Sequence, residues 1–182
     1  MSAPQRIYLE GFTFEKLIEY SAIQKQIASI AHILNDQYPH QEPILMPVLT
    51  GAFRFFAELL PHIKFPYLVD FIKISSYKGQ AKEQALKWEL LPSLEIKNKC
   101  VILIEDIIDT GKTLEFLLQE YILAKGPKSV KVVTLLHKPH NNQSSIKPDI
   151  VGFTIPPEFV VGFGLDLNQK GRSLNDLYIC RS

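Results

Sequence analysis

The sequence predicts an α/β fold in which a central, mainly parallel sheet is flanked by helices. Apolar runs of strand length alternate along the chain with segments in which apolar side chains recur at helical spacing. Residues 100–104 form a continuous apolar run, typical of a strand buried on both faces of a parallel sheet. Ile23, Ile27, Ile30 and Leu34 follow the helical period. Such alternation predicts parallel strands joined by crossover helices.

The elements follow in order from the same patterns. Ser21 and Gln24 form a capping box that starts the first helix. Pro47 cannot donate to a strand ladder and conflicts with the strand predicted around it. Gly126 ends the third helix, and a mobile loop is predicted over about residues 75–88. Strands are predicted at 44–49, 67–74, 86–91, 100–104, 130–136, 150–153 and near 160, and helices after Ser21 and at 52–60 and 114–124.

The most informative segment is residues 101–114, VILIEDIIDTGKTL. Glu105 and Asp106 are predicted to leave the buried strand at its carboxyl end, where ligands gather in open α/β sheets. In residues 109–113, a glycine permits a tight turn and successive backbone N–H groups can face an anion, next to the positive end of a helix dipole. Acidic residues at a strand end are more often a solvated loop. Together, however, these features predict a ligand that carries a phosphate and a diol.

Composition narrows the function classes. With 20 basic and 19 acidic side chains, the formal charge is +1, too balanced for a nucleic-acid surface that neutralises phosphates. The N-terminus lacks an apolar signal region and no run approaches a membrane span, so we expect a cytoplasmic protein with no membrane partner. The length predicts a single domain over residues 1–182. Cys100 and Cys180 are predicted to be small buried hydrophobes rather than a disulfide.

Residues 101–114 resemble the phosphoribosyl-diphosphate motif of the type I phosphoribosyltransferases. Further segments, in matching order, resemble the hypoxanthine (hypoxanthine-guanine) phosphoribosyltransferases within that group, from about residue 40 to the C-terminus. These segments are VLTGAF at 48–53, VDF at 69–71, SSY at 75–77, LLHKP at 135–139, KPDIVGF at 147–153, IPPEFVVGFGLD at 155–166, and Arg172.

The resemblance implies the type I phosphoribosyltransferase fold, with a small hood built from the N-terminal residues and the C-terminal tail. It implies transfer of the 5-phosphoribosyl group from 5-phosphoribosyl 1-diphosphate to a 6-oxopurine, hypoxanthine and also guanine, with release of diphosphate. Mg²⁺ is the implied cofactor, because it is a hard ion that prefers oxygen ligands and bridges phosphate oxygens. A homodimer or homotetramer is the implied assembly.

The resemblance also implies a role for each matching residue. Asp109 would accept the proton of the purine N7. The residues implied to bind the phosphoribosyl diphosphate are Thr50, Gly51, Glu105, Asp106, Asp109, Thr110, Gly111, Lys112, Thr113 and Arg172. Those implied to bind the purine are Lys138 at O6, Phe159 by stacking, Val160 through its backbone, and Asp166. The implied metal ligands are Glu105, Asp106 and, for a second ion, Asp166, and the lid residues are Ser76 and Tyr77.

The chain departs from the family pattern at three positions. Thr50, before Gly51, stands where the family usually has a lysine or arginine. The peptide bond between Leu49 and Thr50 can be cis in the family. The replacement is expected to affect the affinity for diphosphate. Leu167 replaces a common tyrosine and Gly171 an aromatic residue, which bears on the base pocket or an interface. Taken singly, Phe159 could be a core residue, and Lys138 and Arg172 surface charges.

Other functions remain open at this stage. A phosphoribosyl-diphosphate-sensing regulator that binds nucleic acid can share the fold, but would be expected to carry a basic surface. A structural subunit without activity would not need Asp109, Lys138 and Asp166 together. Among enzymes, the alternative is a preference for xanthine or guanine, because the 6-oxo group is common to these bases.

Overall fold

The larger of two β-sheets positions most of the residues discussed below. The structure is a computed structural model that describes residues 3–78 and 84–181. The strands are β1 (Arg6–Leu9), β2 (Phe12–Ile18), β3 (Ile44–Leu49), β4 (Leu68–Val69), β5 (Ile72–Lys78), β6 (Gln84–Leu90), β7 (Cys100–Ile108), β8 (Ser129–His137), β9 (Ile150–Thr154), β10 (Val160–Val161) and β11 (Leu177–Cys180). The helices are α1 (Tyr20–Gln37), α2 (Phe53–Leu59) and α3 (Lys112–Leu117).

The larger sheet has the strand order β6-β5-β3-β7-β8-β9, and β4 also pairs with β3. Its strands are parallel except for the antiparallel pair β5 and β6. This confirms the predicted α/β fold with a mainly parallel sheet. A short 3₁₀ turn, Leu60–His62, follows α2, and α3 continues through a π-helical turn, Leu118–Ile122, and a 3₁₀ turn, Leu123–Lys125. Gly126 ends that segment with a positive φ, as predicted.

Strand β7 is covered on both faces, which explains its continuous apolar run. Ile102 and Ile104 pack in one buried cluster with residues of α1 and α2, whereas Val101 and Leu103 pack in a second cluster with residues of α3. All four side chains are fully buried. Because alternate residues of a strand point to opposite faces, the part of a strand that has helices on both sides is typically apolar at successive positions.

Helix α1 confirms the predicted helical period but not the predicted start. Ile23, Ile27, Ile30 and Leu34 are buried. The helix begins at Tyr20 after Glu19, and no side chain caps it, so the predicted Ser21–Gln24 capping box is wrong. The backbone N–H of Tyr20 instead donates to Asp176 Oδ1 at 2.8 Å, a contact with a residue 156 positions away. A tertiary contact therefore replaces the local cap.

The strand predicted over 67–74 is interrupted. β4 and β5 are separated at Asp70, whose carboxylate accepts hydrogen bonds from the backbone N–H groups of Phe71, Ser93 and Leu94. The same break accommodates Pro47, which lies in β3 between the pairing of Leu45 with β4 and the pairing of Val48 with β5. The proline therefore lies where β3 exchanges one neighbour for another.

Much of the mobile loop predicted over about 75–88 lies in strands, and its mobility stays a prediction. β5 continues to Lys78, and β6 runs from Gln84, paired with it in antiparallel register from Lys73↔Leu90 to Lys78↔Gln84. Cross-strand pairing thus overrides the polar composition from which a loop was predicted. Residues 79–83 lie outside the described residues.

A second, antiparallel sheet of order β1-β2-β11-β10 joins residues from both ends of the described chain. Its strands β1, β2 and β11 were not predicted as strands. Phe14, Val161 and Tyr178 form a small buried cluster within it, and Leu177 and Ile179 pack in the larger cluster that includes α1. Cys100 and Cys180 are partly exposed and are not joined in a disulfide. Across residues 3–78 and 84–181, no helix is long and apolar enough to span a membrane.

Candidate active site

The carboxyl ends of β3, β7 and β8 meet at one edge of the larger sheet. β7 pairs with β3 on one side and with β8 on the other, ending at the pair Ile108↔His137. The segments that follow these three strands therefore converge, as expected in parallel sheets. They enclose a cavity of about 290 Å³, which is lined by Val48, Leu49, Gly51, Ile74, Glu105, Asp106, Ile107, Ile108, Asp109, Thr110, Gly111, Thr113 and Leu114.

Glu105 and Asp106 lie inside β7 and do not leave it as predicted. β8 continues to pair with β7 through Ile107 and Ile108, so the strand extends beyond both carboxylates. Glu105 is only 6% exposed. Burial, and then the charge of Asp106, raises the pKa of Glu105 well above its ordinary value. Burial also raises the pKa of Asp106 to about 6, against the opposing backbone N–H groups of Ile107 and Asp106 itself. Both carboxyl groups are therefore poorly solvated. Such groups are candidates for hydrogen bonds with a bound ligand.

We expect replacement of Glu105 or Asp106 by the neutral amide to raise the free energy of unfolding at about pH 8. Each folded-state pKa lies above the unfolded value, so stability is lost as the pH rises through the interval between them. For Asp106 that interval runs from 3.8 to about 6, and the gain in Asp106→Asn is about 1 to 3 kcal/mol. Thermal unfolding of both variants at about pH 8 and pH 4 measures the effect.

The gain of Asp106→Asn should become small at about pH 4, where the carboxyl is protonated in the folded state and only about half ionised in the unfolded state. Asp36→Asn is the matched control, because Asp36 has a side chain that is 67% exposed and should change stability little at either pH. A lower unfolding temperature of the Glu105 and Asp106 amide variants at pH 8 would contradict the assigned pKa shifts.

A phosphate-sized turn follows β7 at residues 109–113. Gly111 adopts a φ of 77° and directly precedes α3. A side chain there would be strained, and its Cβ would overlap Ser144 and Asn142. The loop that carries these two residues is bound to the turn, because the N–H of Gln143 donates to the carbonyl of Thr110 at 3.0 Å. This bracing loop has no local sequence signal and was not predicted.

Lys138 and Asp109 form a close ion pair beside this turn. The Lys138 Nζ lies 2.8 Å from Asp109 Oδ2, and the lysine is only 2% exposed. The backbone N–H of Lys138 donates to the carbonyl of Ile108 at 2.9 Å, which holds the two segments together. The interpretation of Lys138 as a surface charge is therefore wrong.

The second carboxylate oxygen of Asp109 is also bound. Asn141 Nδ2 donates to Asp109 Oδ1 at 2.8 Å, and more weakly to the carbonyl of Pro157 at 3.4 Å. Asn141 is separated from Asp109 by 32 positions, so no spacing or motif pointed to it. Together Lys138 and Asn141 fix the orientation of the Asp109 carboxylate.

A second cavity, of about 450 Å³, lies on the other side of Asp106. It is lined by Leu49, Thr50, Gly51, Lys73, Ile74, Ser75, Glu89, Asp106, Asp166, Gln169 and Arg172. The Leu49–Thr50 peptide is cis. Gly51 is required by packing, because a Cβ at this position would overlap the carboxylate of Asp106. Arg172 is paired with Asp166 at 2.7 Å and donates to the carbonyl of Gly164 at 2.8 Å, so it is not an isolated surface charge.

Phe159, Val160 and Lys112 do not line either cavity. Phe159 is 47% exposed, so its interpretation as a core residue is wrong, whereas Val160 is buried and pairs with Ile179 of β11. Ser76 and Tyr77 have backbones in β5, and their side chains lie outside the described residues.

The carboxylates suit a magnesium ion shared with a substrate rather than one caged by protein. In the described part of the chain, no three His, Cys, Asp or Glu side chains converge on a point that could hold a metal ion. Asp106 and Asp166 nevertheless line the same cavity, and the charge of Asp166 raises the pKa of Asp106. Mg²⁺ commonly uses one or two carboxylates together with waters and substrate phosphates. This donor set fits that mode of binding.

Comparison with known proteins shows which family the chain resembles. The sequence model of the phosphoribosyl transferase domain matches residues 16–168. A hypoxanthine-guanine phosphoribosyltransferase of Lactococcus lactis is 40% identical over 159 residues, covering 87% of this chain and 86% of the relative. A hypoxanthine phosphoribosyltransferase of Salmonella typhimurium is 36% identical over 166 residues, covering 89% and 92%.

A solved structure extends the likeness to three dimensions. The hypoxanthine-guanine phosphoribosyltransferase of Bacillus anthracis has a TM-score of 0.85 and 36% identity, covering 91% of this chain and 97% of that one. The fold is that of a type I phosphoribosyltransferase. The chain belongs to the hypoxanthine (hypoxanthine-guanine) phosphoribosyltransferase family and is a transferase.

Proposed function

We propose that the protein transfers the 5-phosphoribosyl group from 5-phosphoribosyl 1-diphosphate to hypoxanthine, and also to guanine, in purine salvage. The products are IMP or GMP and diphosphate. The single observation that carries the proposal is the ion pair between the buried Lys138 and Asp109, beside the turn at 109–113. The names of the similar enzymes support the same substrates.

The ion pair matches one edge of a 6-oxopurine. On that edge the carbonyl O6 is an acceptor and the neighbouring N7–H is a donor. Lys138 has three N–H donors and no acceptor; one is bound to Asp109 at 2.8 Å, and another can donate to O6. The carboxylate of Asp109 can take the N7 proton as the bond between N9 and the ribose forms. A proton acceptor in this position lowers the barrier to substitution.

The rest of the site positions the sugar and the leaving group. Substitution at the anomeric carbon passes through an oxocarbenium-like state, so the ribose must be held in line between purine and diphosphate. The turn of Thr110, Gly111 and Thr113 would bind the 5′-phosphate through N–H and hydroxyl groups. Glu105 and Asp106 would accept hydrogen bonds from the ribose hydroxyls. When bound, Mg²⁺ would neutralise the diphosphate, with Asp106 and Asp166 as the protein ligands.

The second sheet would act as the hood over the purine. Phe159 precedes β10 and is exposed, so its ring is available for stacking on a base. Asn141 reaches both Asp109 and the carbonyl of Pro157, two residues before Phe159, and so ties the proton acceptor to this part of the chain. Val160 would present its backbone to the base edge. Ser76 and Tyr77 would act as a lid that excludes competing water.

An activity assay with four purine bases tests the proposal. Purified protein is incubated with phosphoribosyl diphosphate, Mg²⁺ and each of hypoxanthine, guanine, xanthine and adenine, and nucleotide formation is measured. We expect rapid reaction with hypoxanthine and guanine. A regulator of the same fold would bind phosphoribosyl diphosphate without forming nucleotide from any base. The similar proteins are named as enzymes, which gives that alternative no support. Cytoplasmic location and a homodimer or homotetramer stay predictions.

Removal of divalent ions should abolish turnover. Mg²⁺ neutralises the departing diphosphate, and without it the cavity that holds Asp106, Asp166 and Glu89 would repel that anion. We expect excess EDTA to stop nucleotide formation and added Mg²⁺ to restore it. Full activity in excess EDTA would remove the metal roles proposed for Asp106 and Asp166.

A further inference from the structure

Among the described residues, two cationic side chains line the 450 Å³ cavity, and neither belongs to the turn of Leu49, Thr50 and Gly51. Thr50 is neutral at the position where the family usually has a lysine or arginine. Among the described residues that line this cavity, the cationic side chains are Lys73 and Arg172, and the acidic ones are Glu89, Asp106 and Asp166. Arg172 is already paired with Asp166. Position 50 therefore supplies no positive charge to this cavity.

Lys73 lies directly beside that turn. β5 and β3 are parallel neighbours, and Lys73 is in register with Leu49, the residue that precedes Thr50. Adjacent parallel strands are only about 4.8 Å apart, so the lysine side chain starts next to the turn of Leu49, Thr50 and Gly51. It lines the same cavity as Thr50 and Gly51.

Lys73 forms an ion pair with Glu89, a partner that an anionic ligand could replace. Its Nζ lies 2.6 Å from Glu89 Oε2, and the two side chains are 39% and 36% exposed. This hydrogen bond, and then one from Ser75, lowers the pKa of Glu89. An ion pair with this exposure is only marginally stable, so a multiply charged anion can displace Glu89. A lysine ammonium is a compact point charge on a flexible stem, well suited to phosphate oxygens.

We propose that Lys73 binds the diphosphate group and supplies the positive charge that Thr50 does not. The proposal rests on the proposed function, because it takes the diphosphate of phosphoribosyl diphosphate as the ligand of this cavity. When the diphosphate enters, Lys73 exchanges Glu89 for phosphate oxygens. Glu89 then holds the lysine in place while the cavity is empty.

Titration calorimetry with inorganic diphosphate and Mg²⁺ tests this assignment without relying on turnover. A lost charged hydrogen bond corresponds to roughly tenfold or more in affinity, so Lys73→Met should raise the Kd of diphosphate about tenfold to a hundredfold. Lys73→Arg should stay close to the wild type. Lys87→Met is the matched control, because Lys87 is an exposed lysine on the paired strand β6 and does not line the cavity.

Two further variants make the test specific. Thr50→Lys combined with Lys73→Met should recover most of the lost affinity, because the charge returns at the adjoining position. Glu89→Gln should bind diphosphate more tightly than the wild type, because the competing carboxylate is gone. Wild-type affinity of Lys73→Met, or an equal loss in Lys87→Met, would overturn the proposal, and so would unchanged binding by Glu89→Gln. Failure of the proposed function would appear separately, as absence of nucleotide formation by the wild type.

Discussion

Asp109→Asn should lower kcat for hypoxanthine by about 10² to 10⁴, the usual worth of general acid–base catalysis, with a much smaller change in the binding of phosphoribosyl diphosphate. The amide retains the shape of the carboxylate but cannot accept the N7 proton. The backbone turn at Thr110 and Gly111 that would bind the 5′-phosphate remains in place. Steady-state kinetics for both substrates, with calorimetric binding of phosphoribosyl diphosphate, separates the two effects.

Asp36→Asn provides the control for this substitution. Asp36 lies on α1 with an exposed side chain, remote in sequence from the turn at 109–113, and should leave kcat unchanged. If Asp109→Asn weakened phosphoribosyl diphosphate binding while kcat stayed at the wild-type value, Asp109 would be a ligand-holding residue and not the proton acceptor.

Lys138→Ala should narrow the ratio of kcat/KM between hypoxanthine and adenine. A site built around one hydrogen bond can reject a mismatched substrate by about 10⁴, and an ammonium that only donates opposes the amino group of adenine. Adenine should therefore be a very poor substrate for the wild type. Loss of Lys138 removes a favourable contact with hypoxanthine and leaves nothing comparable to lose for adenine.

The measurement is kcat/KM for both bases in both proteins. Lys128→Ala is the matched control, because Lys128 is an exposed lysine that precedes the opposite end of the same strand, β8. An unchanged hypoxanthine-to-adenine ratio in Lys138→Ala would place the discrimination elsewhere, for example in the backbone at Val160.

The sequence predicts the fold correctly where the signal is local and periodic. The run at 100–104 is apolar at every position because both faces of β7 are covered, and that pattern is visible without any knowledge of its neighbours. The buried residues of α1 are likewise predicted by their spacing alone. Gly126 stops its helical segment through its own backbone conformation.

The predictions were wrong where contacts between residues far apart in the sequence determine the start or the end of an element. The start of α1 is bound by Asp176, and Asp70 divides the predicted strand by binding residues 93 and 94. Neither contact leaves a mark in the local sequence. The polar residues of β5 and β6 form a hairpin because each strand supplies the other's backbone partners. Composition alone predicted a loop there.

The candidate site shows the same division. The residue types at 105–113 predicted a ligand-binding segment. The burial of Glu105 inside β7 was not predicted, because it depends on β8, which pairs with β7. Asn141, which binds the second oxygen of Asp109, comes from a segment whose residues carry no motif. Lys73 was not predicted as a diphosphate-binding residue, because its position beside Leu49 depends on the pairing of β3 with β5.

The most direct measurement of the central claim is the simultaneous quantification of IMP and diphosphate during reaction of the wild type with hypoxanthine, phosphoribosyl diphosphate and Mg²⁺. Transfer by the Lys138–Asp109 site forms one diphosphate for every IMP, and the equality should hold throughout the time course. Release of diphosphate without IMP would mean that water, and not the purine, is the acceptor. That result would contradict the proposed function.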